Sequence, residues 1–518
     1  MELRPYQQAA LAACQEHWRD FRRLLLVLPT GTGKTIIFAN LAANEAAAGR
    51  QTLILAHRDE LIQQAADKLN RACGLGCAVE QAGQHAADSL YPITVGSVQT
   101  LTREKRLAAF APDYYDLLVV DEAHHALSDS YRRILDHFAS ARVVGVTATP
   151  DRGDRKTLGA VFEQLAYEYP LPRAIADGYL CPIRAQTLPL NIDLAKVRVT
   201  AGDFNDADLG DALAPYLEQI ADHVARVARE RKVLAFLPLR ATSRTLAGLL
   251  AARGLLAAHV DGDSTDRREL LADFAGNKLR CLCNSMLLTE GYDQPDIDCI
   301  VPLRPTKVRS LYAQMVGRGT RLAPGKEALL ILDFLFHTER HELCRPACLT
   351  APRAEIAAKV QAAQDAAGSA GESVDLLAAE ADAESTAKAE REGALAKALR
   401  EQHGKRGRLL DPVEFALSIA DEDLADYEPC FAWESHPPTD RQLETLEKWG
   451  FSADTIQNKG MASRLLSRIF ARREAGLATP KQVRLLAREG VAGAAGLTFE
   501  AANQTITTLA AQRGWGRR

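Results

Sequence analysis

Residues Leu28-Pro29-Thr30-Gly31-Thr32-Gly33-Lys34-Thr35 place two glycines, a lysine and a hydroxyl in an order suited to phosphate chemistry. The run Leu24 to Leu28 before them is short and apolar, bounded by Arg22, Arg23 and Pro29. It has the pattern of a strand buried on both faces. Residues Ile36 to Ala48, rich in Ala, read as a helix. Strand, glycine turn and helix together make a phosphate cradle. Gly31 and Gly33 let the backbone aim successive N–H groups inward, and the helix N-terminus adds partial positive charge. Lys34 can reach β- and γ-phosphates, and the Thr35 hydroxyl can ligate Mg²⁺. ATP and Mg²⁺ are therefore the expected cofactors.

A second chemical signal is Leu117-Leu118-Val119-Val120-Asp121-Glu122-Ala123-His124. Four apolar residues make a buried strand, and its two carboxylates sit at the C-terminal edge, where parallel α/β sheets bind ligands. Asp121 can hold Mg²⁺, and Glu122 can polarise an attacking water as general base. The third signal is Gln314-Met315-Val316-Gly317-Arg318-Gly319-Thr320-Arg321. Arg318 and Arg321 are expected on one face of a helix or turn, where both can neutralise a transferring phosphoryl group. Weaker signals surround these three. The amide of Gln7 can read the N6/N7 edge of adenine. Arg58, ending the strand Thr52 to His57, can hold a backbone phosphate or stand in solvent. Thr147 and Thr149, at the tip of the strand Val143 to Val146, can hydrogen-bond the acidic motif.

These residues need a scaffold in which strands alternate with helices. A second such series begins at the strand Lys232 to Leu237 and continues through His259-Val260, Leu279 to Cys283 and Cys299 to Val301. Alternation of this kind predicts parallel sheets. The expected fold class is α/β, with two tandem parallel-sheet lobes, an Ala-rich helical linker and a small α-helical C-terminal module. The expected boundaries are 1–172 for the first lobe, 173–214 for a connecting segment, 215–345 for the second lobe, 346–435 for the linker and 436–518 for the module.

A chain of 518 residues is too long for one core. It is 47% apolar and 25% charged, an ordinary globular composition. The net charge of −4 marks no overall polyanion binder, although a local basic face can hide within it. No apolar run is long enough to span a membrane, and Met1 to Ala10 lacks the shape of a signal peptide. Ten cysteines without a Cys-x-x-Cys pair indicate neither a disulfide framework nor a zinc module. A cytoplasmic location fits these features.

Seven pieces in a fixed order resemble a superfamily 2 helicase of the DEAH-box type, across residues 1–342. They are Arg4 to Gln7, the loop 29–35, Ala56 to Arg58, Asp121 to His124, Thr147 to Pro150, the segment 288–295 and the segment 314–321. The segment Leu303 to Thr306, with Val316 to Gly319 and Leu322 to Lys326, looks most like bacterial RadD-type repair ATPases, whose Cys-rich segment after the core has no counterpart here. The resemblance implies two tandem RecA-like P-loop lobes, with ATP in the cleft between them and nucleic acid across the top. It assigns ATP contacts to Arg4, Gln7, Thr30, Gly31, Thr32, Gly33, Lys34, Thr35, Gly291 and Asp293. It assigns catalysis to Lys34, Asp121, Glu122, Gln314, Arg318 and Arg321, and coupling to His124, Thr147 and Thr149. Nucleic-acid contacts are implied near Arg58, Thr100 and Thr289. The expected activity is an ATP-dependent DNA helicase or translocase, with single-stranded or forked DNA as partner. An RNA helicase, or an ATP-switched clamp that does not unwind, is the alternative.

The C-terminal region carries an internal repeat. Thr439-Asp440-Arg441-Gln442 and Thr479-Pro480-Lys481-Gln482 are both capping boxes, followed at matching positions by Leu446 and Leu486, then Gly450 and Gly490. Residues 436–518 hold thirteen Lys and Arg against seven Asp and Glu, a balance of +6. Arg464 and Arg468, close to Arg472 and Arg473, are expected to grip nucleic-acid phosphates. The alternative is a packing module with a solvated basic face, and the module can also dock a protein partner.

Overall fold

The computed structural model describes residues 3–57, 66, 69, 74–148, 157–200, 203–289, 291–337, 343–351, 353–387, 415, 419, 421, 424, 427–491 and 493–513. Two positions of interest, Arg58 and Thr149, lie outside the described residues, as do residues 388–400 of the Ala-rich stretch. The chain divides into two compact units, residues 1–381 and 382–518.

The first lobe of unit one is built on β1 (Arg23–Val27), β2 (Thr52–Ala56), β3 (Ala78–Glu80), β4 (Ile93–Ser97), β5 (Leu117–Asp121), β6 (Arg142–Thr147) and β7 (Gln164–Glu168). They form an all-parallel sheet in the order β3-β4-β2-β5-β6-β1-β7. The apolar runs read from sequence are these strands. Leu24, Leu25, Leu26 and Val27 of β1 are all buried, because alternate side chains enter the layers on opposite faces of the sheet. Each such side chain contributes about 1.5–3 kcal/mol by leaving water. The helix Pro5–His17 lies against β7, and the helix Lys34–Ala47 leaves the end of β1.

The second lobe uses β8 (Ile183–Asp193), β9 (Val199–Thr200), β10 (Asp203–Phe204), β11 (Val233–Phe236), β12 (Ala257–Val260), β13 (Cys281–Asn284), β14 (Cys299–Pro302), β15 (Leu329–His337) and β16 (Val374–Asp375). Its main sheet runs β12-β13-β11-β14-β15-β8-β16, with β16 antiparallel to β8 and the other pairs parallel. Two expected boundaries are corrected here. The segment 173–214 is no mere connector, since β8 pairs with β15 from Leu329↔Ile183 to His337↔Asp193. Its polar residues and Pro189 hide the strand from a pattern reading, and its partner strand lies some 140 residues away. The linker assigned to 346–435 likewise begins inside the lobe. The helix Ala354–Ser369 buries Ile356, Val360, Gln364 and Gly368 and packs on β8. An added Cβ at Gly368 would lie 2.7 Å from the Thr187 carbonyl oxygen, so only glycine permits that approach. Arg345 fastens the same helix by pairing with Asp333 and Asp365, both at 2.8 Å.

In unit two the repeat is a true structural duplication. The helices Asp440–Trp449 and Lys459–Glu474 form one copy, and Pro480–Arg488 and Phe499–Arg513 the other. Gln442 Oε1 accepts from the Thr439 N–H (2.9 Å), while its Nε2 donates to Ser463 Oγ (2.8 Å). Gln482 Oε1 accepts from the Thr479 N–H (2.8 Å), while its Nε2 donates to Asn503 Oδ1 (2.8 Å). In each copy one glutamine caps its own helix and ties it to the next. No helix among the described residues is long and apolar enough to cross a membrane.

Candidate nucleotide site

The loop 28–33 hangs between the ends of β1 and β6, where the Leu28 N–H donates to the Thr147 carbonyl at 3.0 Å. Gly31 (φ 91°) and Gly33 (φ 76°) have left-handed backbone, which glycine adopts without steric cost. Gly33 is also the N-cap of the Lys34–Ala47 helix, whose first N–H groups are left for an anion. The loop is braced from outside. Tyr6 Oη and Gln7 Nε2 both donate to the Thr32 carbonyl, at 2.5 and 3.2 Å, and Thr32 Oγ1 donates to the Pro29 carbonyl at 2.7 Å. Gln7 Oε1 accepts the Arg4 N–H at 3.0 Å. Gln7 therefore shapes the phosphate loop first, and one N–H and one lone pair of its amide are left for a base.

At the end of β5, Glu122 sits in left-handed backbone (φ 51°), a strained geometry for a side-chain-bearing residue and one associated with functional sites. Its Oε1 lies 3.3 Å from Lys34 Nζ, and its Oε2 lies 3.6 Å from His124 Nδ1. The Glu122 N–H donates to Asp121 Oδ1 at 3.0 Å. Loop lysine and motif carboxylate thus neutralise each other, and Asp121 and Thr35 stand at the strand end and helix start that flank the loop.

The second lobe closes on this loop. The helix Arg309–Gly317 ends against Thr30, and an added Cβ at Gly317 would lie 2.5 Å from Thr30 Cβ. Thr320 Oγ1 donates to the Thr30 carbonyl at 3.4 Å. A Cβ at Gly31 would come within 3.2 Å of Arg321 Cγ. Arg321 Nε pairs with Asp293 Oδ1 at 3.2 Å. Burial pulls the Arg321 pKa down and Asp293 opposes that shift. Three buried polar atoms at this junction, Thr30 Oγ1, Gln314 Nε2 and Arg321 Nη1, have no hydrogen-bond partner among the described residues. Two donors and a hydroxyl left open beside a glycine cradle fit a polyphosphate, whose oxygens accept hydrogen bonds.

Residues 1–152 match the family described as Type III restriction enzyme, res subunit, and residues 215–323 match the helicase conserved C-terminal domain. The two matched regions are similar to the paired domains of superfamily 2 helicases. The Saccharomyces cerevisiae protein IRC3, named as an ATP-dependent helicase, is 33% identical over 357 residues, covering 64% of this chain and 51% of that one. The DNA 3'-5' translocase XPB2 of Sulfurisphaera tokodaii is 24% identical over 379 residues, covering 64% of this chain and 81% of that one. A fragment of an HsdR subunit of a type I restriction enzyme from Vibrio vulnificus shares the fold with a TM-score of 0.51 at 24% identity, over 64% of this chain and 63% of that structure. The chain spans about half the length of the first curated relatives it matches, 51% and 57%.

The structure also places the other expected site residues. Arg318 Nε and Nη1 donate to the carbonyls of Thr289 and Tyr292, both at 2.9 Å. The helix stops at Gly317, so Arg318 and Arg321 share no helical face. Thr100 and Thr289 are buried. The Thr100 hydroxyl accepts the Ala82 N–H at 3.2 Å, and Thr289 Oγ1 donates to the Met286 carbonyl at 2.8 Å. Thr147 is buried and touches the loop through its backbone. Gly291 takes left-handed backbone (φ 73°) two residues before Asp293, whose carboxylate holds Arg321. In unit two, Arg468 pairs with Asp421 at 2.5 Å, and the Arg464 guanidinium lies 4.9 Å over the Tyr427 ring. Both are exposed.

Other residues enter the site without having been read from sequence. Tyr6 stacks on Tyr169 (4.4 Å, 7°) and meets Tyr179 edge-on (5.0 Å), while the Arg4 guanidinium lies over Tyr179 at 5.0 Å. This aromatic group borders the outer brace of the loop. Its members are too far apart in sequence to form a motif. Lys326 Nζ donates to the carbonyls of Gly319 (2.5 Å), Arg321 (2.8 Å) and Pro295 (3.2 Å). The Cys181 N–H holds the intervening Thr320 carbonyl at 2.9 Å. Three successive carbonyls beneath Arg321 are thereby fixed. Lys326→Met is expected to lower kcat for ATP hydrolysis by roughly tenfold to a hundredfold, the cost of a small misplacement of a reacting group. KM for ATP should change little, and Lys326→Arg should recover part of the loss. Equal falls in affinity and kcat would instead mean general loosening of the lobe.

Proposed function

We propose that this chain is an ATP-dependent DNA translocase or helicase, hydrolysing ATP in the composite site between its lobes. The observation that carries the reading is the seating of Arg321 of the second lobe against Gly31 of the first, with Nη1 left open beside Gln314 and Thr30. A site shared by two lobes makes hydrolysis depend on their closure, and closure is what a motor repeats. The relatives named as an ATP-dependent helicase and a DNA 3'-5' translocase support DNA as the track.

Each residue has a definite task in this reading. Lys34 leaves Glu122 to neutralise the β- and γ-phosphates, and Glu122, released, takes a proton from the attacking water. Thr35 and Asp121 are the groups that would hold Mg²⁺, which supplies positive charge to the phosphate oxygens. Arg321, steadied by Asp293 and Lys326, stabilises charge on the transferring phosphoryl group, and Gln314 adds a donor. Arg318 holds the 289–292 segment in register with this helix. The 3.4 Å bond between Thr320 and Thr30 is weak enough to break when the lobes part.

The test is steady-state ATP hydrolysis without nucleic acid and with single-stranded, duplex and forked DNA and RNA. Hydrolysis is expected to rise severalfold with DNA. Stimulation by RNA alone would move the track to RNA, and indifference to every nucleic acid would overturn the motor reading. Strand displacement on forked DNA then separates unwinding from translocation.

A further inference from the structure

In unit two, a cavity of about 240 Å³ opens at the seam between the two copies of the repeat. Trp449, Ile469, Arg472 and Arg473 line it from the first copy, and Thr479 and Phe499 from the second. Its lining includes two arginines and no acidic side chain. Phe499 is 47% exposed, unusual for a large apolar side chain that the fold could have covered. Arg472 Nη2 donates to the carbonyls of Ala478 (3.1 Å) and Ala495 (2.8 Å), but its Nε is buried with no hydrogen-bond partner among the described residues.

The duplication provides an internal control on what the fold requires. Residues serving the fold recur in both copies: Thr439 and Thr479, Gln442 and Gln482, Leu446 and Leu486, Ala462 and Ala502. The N-cap contacts recur as well. Asn458 Oδ1 accepts the Met461 N–H at 2.9 Å, and Thr498 Oγ1 accepts the Ala501 N–H at 3.2 Å. Of the seam residues, Thr479 recurs as Thr439 and Arg473 as Arg513, whereas three do not recur. Trp449 corresponds to Glu489, Phe499 to Lys459, and Arg472 to Gln512. The repeat architecture therefore does not need two aromatics and an arginine at these places.

We infer that the seam cavity is a binding site for single-stranded nucleic acid, taking one unpaired base against Trp449 and Phe499, with Arg472 and Arg473 meeting the base edge and adjoining phosphate. Aromatic walls accept any base by stacking, and guanidinium groups complement the phosphate charge. A duplex is excluded because its bases are already stacked on each other. The site is separate from Arg464 and Arg468, which do not line the cavity. The inference shares with the proposed function only the premise that the chain engages nucleic acid.

Fluorescence anisotropy of labelled oligothymidine, with oligouridine and a blunt duplex in parallel, tests this on the full chain without nucleotide. Phe499→Ala and Arg473→Glu are each expected to weaken single-strand affinity by about tenfold, the loss of one stacked base or charged contact. Phe499→Trp should restore it. Arg488→Glu, an exposed cation of the same unit outside the cavity, should leave affinity nearly unchanged. Equal losses from Arg473→Glu and Arg488→Glu, with Phe499→Ala silent, would show diffuse electrostatic binding and overturn the site. Photo-crosslinking with iodouracil-substituted oligonucleotide provides a second readout that does not depend on variant folding. Crosslinks are expected within residues 440–513, and crosslinks confined to residues 1–381 would overturn the inference. DNA-stimulated hydrolysis alongside a silent seam leaves the motor reading standing. A responsive seam with hydrolysis indifferent to nucleic acid overturns the motor reading alone.

Discussion

Changing Arg321 to alanine is expected to lower kcat for ATP hydrolysis by about a thousandfold, the lower end of the range for arginines that act on a transferring phosphoryl group. Its effect on ATP binding should be far smaller. The argument rests on position. Arg321 comes from the second lobe and contacts the loop at Gly31, while Asp293 holds Nε and leaves Nη1 open. Such a group acts when the lobes are closed and charge moves onto the leaving phosphoryl oxygens, so its loss falls on kcat rather than on KM. Arg318→Ala should differ in kind. Its guanidinium holds the Thr289 and Tyr292 carbonyls, so its removal should lower the thermal stability of the second lobe as well as the rate. Single-turnover hydrolysis and a thermal melt of both variants decide the matter. An Arg321→Ala enzyme that keeps a third of the wild-type kcat would show that the closing contact is structural.

The second large effect is expected at Glu122. Glu122→Gln keeps the size and most hydrogen bonding of the side chain but removes the basic oxygen, and should lower the rate by roughly a hundredfold to ten-thousandfold. Its effect on binding should have the opposite sign. In the wild type the Glu122 carboxylate holds Lys34 Nζ at 3.3 Å, and an incoming phosphate must compete for that ammonium. Neutralising Glu122 removes the competitor, so ATP affinity should stay level or rise while hydrolysis fails. Equilibrium binding of a fluorescent ATP analogue, beside single-turnover hydrolysis, gives both quantities. Weaker binding together with a near-normal rate would place the general base elsewhere.

These variants act on residues whose presence was visible in the sequence and whose geometry was not. The phosphate loop and the acidic strand end were readable because each is local. Buried parallel strands are unbroken apolar runs, and glycine takes φ values such as those at Gly31 and Gly33 without steric cost. The capping boxes were readable for the same reason, since all their partners lie within four residues. The sequence left Arg318 and Arg321 open between a helix and a turn, and the helix ends at Gly317, so both lie past it. Regular spacing of Arg464 and Arg468 shows that two charges share a face, and does not show that Asp421 and the Tyr427 ring meet them.

Thus the order of amino acids carried the resemblance to superfamily 2 helicases, the two α/β lobes, the loop that cradles phosphate and the duplicated helical unit. These depend on burial patterns and turn chemistry that extend over a few residues. The partners of each charge were decided by folding. Lys326 reaches beneath Arg321, Tyr6 stacks on Tyr169, β8 joins β15, and Trp449 and Phe499 line one cavity. Such pairings join segments tens to hundreds of residues apart, and no local periodicity encodes them. They follow from which surfaces the packed sheets and helices bring within hydrogen-bonding or van der Waals distance.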